Sequence, residues 1–111
     1  MDRLVKGEAQ VMQKLITLAV IWATLNVSAY CDKGLTASGE YVRQGFCAMD
    51  KLNGVYVPFG SKVVLPDGRV LIVKDRFGGG YDGRLDIWMP TEQECWQFGR
   101  RWLRCQIQIA E

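Results

Sequence analysis

The stretch from Lys62 to Val73 constrains the fold more than any other part of the chain. Lys62-Val63-Val64-Leu65 and Val70-Leu71-Ile72-Val73 are two β-branched runs joined by Pro66-Asp67-Gly68-Arg69. Pro and Asp-Gly between two such runs are hairpin chemistry, because they supply the fixed and positive φ angles that a tight reversal needs. Asp67 is therefore expected to serve the turn alone. The same grammar recurs along the chain. Thr24 to Cys31 alternates Leu25, Val27, Ala29 and Cys31 with polar partners, the two-residue period of a half-buried strand. Asp32 to Gly45 is a polar loop broken by Gly34, Gly39 and Gly45, and Phe46 to Asp50 is a short strand. Asn53-Gly54 turns the chain into Val55-Tyr56-Val57, and Leu85 to Met89 forms another strand. Trp102 to Ile109 sends Leu103, Cys105, Ile107 and Ile109 to one face. Between the last two lies one helix: Thr91 can cap it, Glu94 stands three residues on in the capping-box place, and Gly99 ends it after Phe98. About six or seven short strands and one helix in a single small domain predict a mostly β chain closed as a small barrel.

The chain has 111 residues, of which the first 29 or so read as a leader, leaving a body of about 82. That is room for one hydrophobic core. Leu15 to Leu25 is an almost unbroken apolar run behind Lys14, and Val27-Ser28-Ala29 offers the small residues that a signal peptidase reads. Residues 1–23 are accordingly expected to be a signal peptide or a retained membrane anchor, with the domain running from 24 to 111 and the protein exported to the periplasm, envelope or medium. The body carries eleven Lys/Arg against ten Asp/Glu, too even a balance for nucleic-acid binding. The chain has no histidine, so His-based metal sites, Ser-His-Asp triads and Cys-His dyads are excluded. No metal and no cofactor is implied. Cys31, Cys47, Cys95 and Cys105 contain no CxxC spacing. In an exported domain of this size they read as a disulfide framework. Three pairings are open: Cys31–Cys47 with Cys95–Cys105 closes the shortest loops, while Cys95 and Cys105 fit packed free thiols equally well.

Six Asp follow the leader, and three stand among strand residues: Asp50, Asp75 and Asp86. A carboxylate there disfavours β structure and is costly if buried, so three in one barrel point to a site. Without histidine, acid–base chemistry falls to such groups.

These aspartates sit within Ala48-Met49-Asp50, Val73-Lys74-Asp75 and Gly83-Arg84-Leu85-Asp86-Ile87-Trp88, the last two spaced by eleven residues. With Val27-Ser28-Ala29-Tyr30, Thr36-Ala37-Ser38-Gly39, Val57-Pro58-Phe59-Gly60-Ser61-Lys62-Val63 and Phe98-Gly99-Arg100-Arg101, the order of motifs from about residue 24 to 109 resembles the 3D (three-aspartate) domain. That family includes peptidoglycan lytic transglycosylases and small secreted or phage-borne cell-wall proteins. The resemblance implies a six-stranded double-psi β-barrel that cleaves the MurNAc–GlcNAc β-1,4 bond of glycan strands and leaves 1,6-anhydro ends. It assigns Asp86 as the acid, Asp75 as the neighbour that orients it and raises its pKa, and Asp50 as the third member of the site. Thr36 and Ser38 would hydrogen-bond saccharide hydroxyls. Trp88 and Arg84 on the Asp86 strand are further substrate-binding candidates. Tyr30 reads as a packing residue, and Arg100, Arg101 and Arg104 as a solvated face. Two places depart from the family. Arg76-Phe77-Gly78 replaces its usual Thr-Gly-Gly, and Tyr81-Asp82 its common Lys-Gly, so the groove floor is expected to differ. A non-catalytic carbohydrate-binding barrel and a structural adaptor are the competing expectations.

Overall fold

A computed structural model describes residues 19–111. Six of its strands close into a barrel in the order β1-β7-β2-β6-β5-β8. They are β1 (Ala19–Tyr30), β2 (Phe46–Ala48), β5 (Lys62–Val64), β6 (Val70–Asp75), β7 (Arg84–Trp88) and β8 (Arg101–Ile109). A separate two-stranded ribbon, β3 (Lys51–Leu52) with β4 (Val55–Tyr56), projects between β2 and β5, and one helix, α1 (Glu92–Phe98), precedes the last strand. β1 runs parallel to β7 and β2 parallel to β6; the other barrel pairs are antiparallel. The fold class is thus the expected one, a small double-psi-like barrel with a short helix before its final strand.

The local signals fold as their chemistry dictates. Asp67 Oδ1 accepts the Arg69 backbone N–H at 3.0 Å and Oδ2 accepts Arg69 Nε at 2.8 Å, closing the β5–β6 turn. Asn53 and Gly54, at φ 53° and 81°, make the reversal between β3 and β4 that favours this residue pair. Their N–H groups are held at 2.9 and 2.6 Å by the two oxygens of Asp82. Thr91 Oγ1 accepts from Glu94 N at 3.2 Å while its hydroxyl donates to Glu94 Oε2 at 2.9 Å. The helix stops at Gly99, φ 69°, whose N–H reaches Cys95 O.

The core is built by alternation. Leu25 and Val27 of β1, Val63 of β5, Val73 of β6, Leu85 of β7, and Cys105 and Ile107 of β8 are fully buried inside the barrel. Each fully buried aliphatic side chain of this size contributes roughly 1.5–3 kcal/mol by leaving water. β1 is longer than its period predicts. Ala19 to Ala23 pair with Ile109 to Cys105 of β8, so β1 runs without a break across residues 23 and 24, where the leader was expected to end. The physical reason is the length of β8, whose nine residues offer backbone partners the whole way along. The remainder of the expected leader, residues 1–18, lies outside the described residues. Among the described residues, no helix is long and apolar enough to cross a membrane.

Candidate functional site

The strand alternation that buries Leu25, Val27, Leu85 and Ile87 turns their neighbours outward. Asn26, Ser28 and Tyr30 of β1 are in register with Arg84, Asp86 and Trp88 of β7, and all six are half-buried. β2 lies on the other side of β7, where Ala48 is the register partner of both Asp86 on β7 and Asp75 on β6. One buried alanine therefore stands between the two carboxylate-bearing strands. A bulge between Cys47 and Ala48 produces this coincidence, which is the re-aiming of side chains that bulges bring about.

Asp86 and Asp75 are held very differently. Asp86 Oδ1 accepts one hydrogen bond, from Ser28 Oγ at 2.9 Å. Burial raises its pKa above the usual carboxylate value. Ser28 and the cations of Arg84 and Arg100 oppose that rise, and the Asp32 carboxylate adds to it. Burial comes first, and the like charge that adds most to it is Asp32. Asp75 Oδ1 accepts from the backbone N–H groups of Ala37 and Arg76, both at 2.9 Å, and Oδ2 accepts from the Tyr30 hydroxyl at 3.0 Å. Three donors hold this carboxylate in place. Tyr30, expected to be a packing residue, is part of the site: burial first, then the charges of Asp75 and Asp86, push its phenol above its ordinary range. Tyr30 thus senses both carboxylates, and Ser28 touches the acid itself. The signal that could have found them was the two-residue period of Thr24–Cys31, but the same residues also fit the exit of a leader.

Asp50 does not join this pair. It is fully buried. Oδ1 accepts from Phe77 N at 2.9 Å, and Oδ2 accepts from Gly80 N at 2.8 Å and Tyr81 N at 3.1 Å. Burial raises its pKa, but the backbone N–H groups of the 77–81 loop outweigh that and lower it. Asp50 thereby anchors the 77–81 loop, with three N–H donors held on its two oxygens.

The 77–81 loop is where the sequence departs from the family, and its side chains form a cationic–aromatic lattice. The Arg84 guanidinium lies 5.0 Å from the Phe77 ring and 5.5 Å from Tyr81, rings that meet edge to face at 5.7 Å. Arg76 packs 4.1 Å from Phe59 and donates from Nη1 to Met49 O at 2.7 Å. Arg84, expected to bind substrate, is therefore partly engaged by aromatic rings. Trp88 is pinned as well: Nε1 donates to Asp32 O at 2.8 Å, and Lys33 Nζ stands 5.4 Å from its ring. Thr36 is buried, with Oγ1 2.8 Å from Ser38 Oγ and donating to Glu40 O at 2.9 Å. Thr36 and Ser38 thus shape the loop that brings the Ala37 N–H to Asp75, and Ser38 retains partial exposure.

A cleft of about 480 Å³ opens beside the end of β7, bounded by Trp88, Pro90, Phe98, Arg69 and Arg101. Asp86 is not among the residues that line it. All four cysteines are free thiols; Cys31 is among the groups that raise the Cys95 thiol pKa, and Cys47 and Cys105 are both buried in the core. Cys31 and Cys47 diverge because one ends β1 near the helix while the other points into the core. Compared with family models, curated proteins and solved structures, the chain matches none.

Proposed function

We propose that the protein is a peptidoglycan lytic transglycosylase, cleaving the MurNAc–GlcNAc β-1,4 bond without water. The observation that carries this reading is Asp86: a half-buried carboxyl on a strand, with one hydroxyl partner and a pKa raised by burial. A proton donor for a glycosidic oxygen must hold its proton near neutral pH, which an ordinary Asp does not. Asp86 donates to the bridging oxygen as the C1–O bond breaks. Its carboxylate then takes the proton of the C6 hydroxyl as that oxygen bonds to C1, so the acid is regenerated within one cycle. Hydrolytic glycosidases need a second carboxylate to act as nucleophile or to activate water. Here the substrate's own hydroxyl takes that part, and the absence of histidine is no handicap. Asp75, fixed by Tyr30, Ala37 and Arg76, supplies a stationary negative charge toward the cationic character that develops at C1. Export through the N-terminal apolar segment would bring the barrel to its substrate.

A second reading, a glycan-binding barrel without cleavage, has its own observation. Trp22, Trp96 and Trp102 are 58%, 83% and 69% exposed, and exposed indoles offer stacking faces to sugar rings. Digestion of purified sacculi followed by mass spectrometry separates the two. Anhydro-muropeptides support the transglycosylase, and sacculus binding with no released product supports the binding barrel. An adaptor would do neither.

A further inference from the structure

The segment after β1 is stitched to the segment before α1 by three hydrogen bonds. Met89 N donates to Tyr30 O at 2.8 Å, Trp88 Nε1 to Asp32 O at 2.8 Å, and Lys33 Nζ to Pro90 O at 3.1 Å. Cys31 lies in the middle of this seam. Helix α1 packs on β1 and carries Cys95 at its centre, close enough to Cys31 for that thiol to raise the Cys95 pKa. Both are partly exposed, so a soluble oxidant can reach them, whereas Cys47 and Cys105 are fully buried. We propose that Cys31 and Cys95 are a disulfide-forming pair that clamps α1 to the end of β1 and so fixes the strand end bearing Tyr30.

The oxidant is a disulfide of the exchange class, either a protein dithiol oxidase or a small disulfide. One cysteine thiolate attacks it, forming a mixed disulfide and expelling one thiolate. The second cysteine thiolate then attacks the mixed disulfide, forming the Cys31–Cys95 bond and expelling the other. Two protons leave the cysteines, and the two electrons reside on the reduced oxidant. The bond closes most of the barrel into one loop. Such long closures restrict the unfolded chain more than the short loops of the alternative pairing would.

Cys31 also sits between Tyr30 and Asp32, the residues that touch Asp75 and that raise Asp86. The clamp is therefore a positioning device for the site, independent of which reaction the site performs. The test starts from the folded, fully reduced protein and uses oxidised glutathione, trypsin without reductant, and mass spectrometry. The expected product is a cross-linked pair of peptides 15–33 and 85–100, lost in Cys31→Ser and in Cys95→Ser. Oxidation is expected to raise the melting temperature of the unsubstituted protein by at least about 8 °C, and to leave both variants unmoved. A cross-link from 15–33 to 44–51, a cross-link from 85–100 to 105–111, or four alkylatable thiols after oxidation would overturn the proposal.

Discussion

Asp50 and Asp86 begin alike, as acidic residues at or within short apolar strands, and end as opposites. Asp50 is enclosed, yet three N–H donors from the 77–81 loop hold its carboxylate charged. Asp86 is less buried, but its carboxylate accepts a single hydrogen bond, from Ser28, and despite the nearby cations of Arg84 and Arg100 its pKa rises. Burial pushes both carboxyls upward, so depth alone does not set the direction in which each pKa moves. The number of donors aimed at the carboxylate decides it, because each hydrogen bond to the charged form offsets the loss of hydration. A loop that folds back supplies those donors to Asp50. A flat strand face, with its backbone groups spent on neighbouring strands, withholds them from Asp86.

Exchanging the carboxylates for amides should separate the two roles. Asp86→Asn is expected to lower anhydro-muropeptide release by about 10²–10⁴-fold while the protein remains folded and sacculus binding persists; muropeptide mass spectrometry and a pull-down read the two effects. Asp50→Asn should act on stability first. The amide NH₂ would face backbone donors in the 77–81 loop, and the loss of charge-assisted hydrogen bonds costs about 3 kcal/mol, measurable as a lower urea midpoint. The pH dependence follows from the lowered pKa. Asp50 contributes stability that is present above its unfolded pKa of about 3.9 and is lost as pH falls through its lower folded value. The acid limb of the stability curve should therefore flatten in Asp50→Asn.

Ser28→Ala is a smaller perturbation. It removes the one hydrogen bond that favours the Asp86 carboxylate, so the pKa of Asp86 should rise further and the alkaline limb of the activity profile should move to higher pH. Asp32→Asn should move that limb the other way, and least, since Asp32 is exposed and its charge is screened by salt. If Asp75→Asn instead produced the acid shift, the assignment of Asp32 as the like-charge neighbour would be wrong.

Much of this architecture was legible because its causes are local. The β5–β6 hairpin, the Thr91 cap and the Gly99 stop each depend on residues within a few positions of one another, and all three stand where the sequence puts them. The residues that distinguish the aspartates are remote. Asp50 meets its donors about thirty positions later in the chain, and Ser28 meets Asp86 across 58 positions. Neither partnership leaves a periodic trace. The cysteine arrangement was hidden for the same reason, since loop length favours near neighbours whereas the barrel brings β1 against α1. Thr24–Cys31 carried two legitimate patterns at once, a strand period and a leader exit. The continuation of β1 back to Ala19 is a consequence of pairing with β8, which no single stretch records.

Side-chain carboxyl titration by carbon-detected NMR, with Asp50 and Asp86 followed in one sample, tests the central contrast most directly. The expected result is an Asp86 resonance that titrates above the ordinary aspartate range and moves higher still in Ser28→Ala, while Asp50 titrates below that range. An Asp86 that titrates at or below the ordinary value, or an Asp50 that titrates above Asp86, would contradict the account.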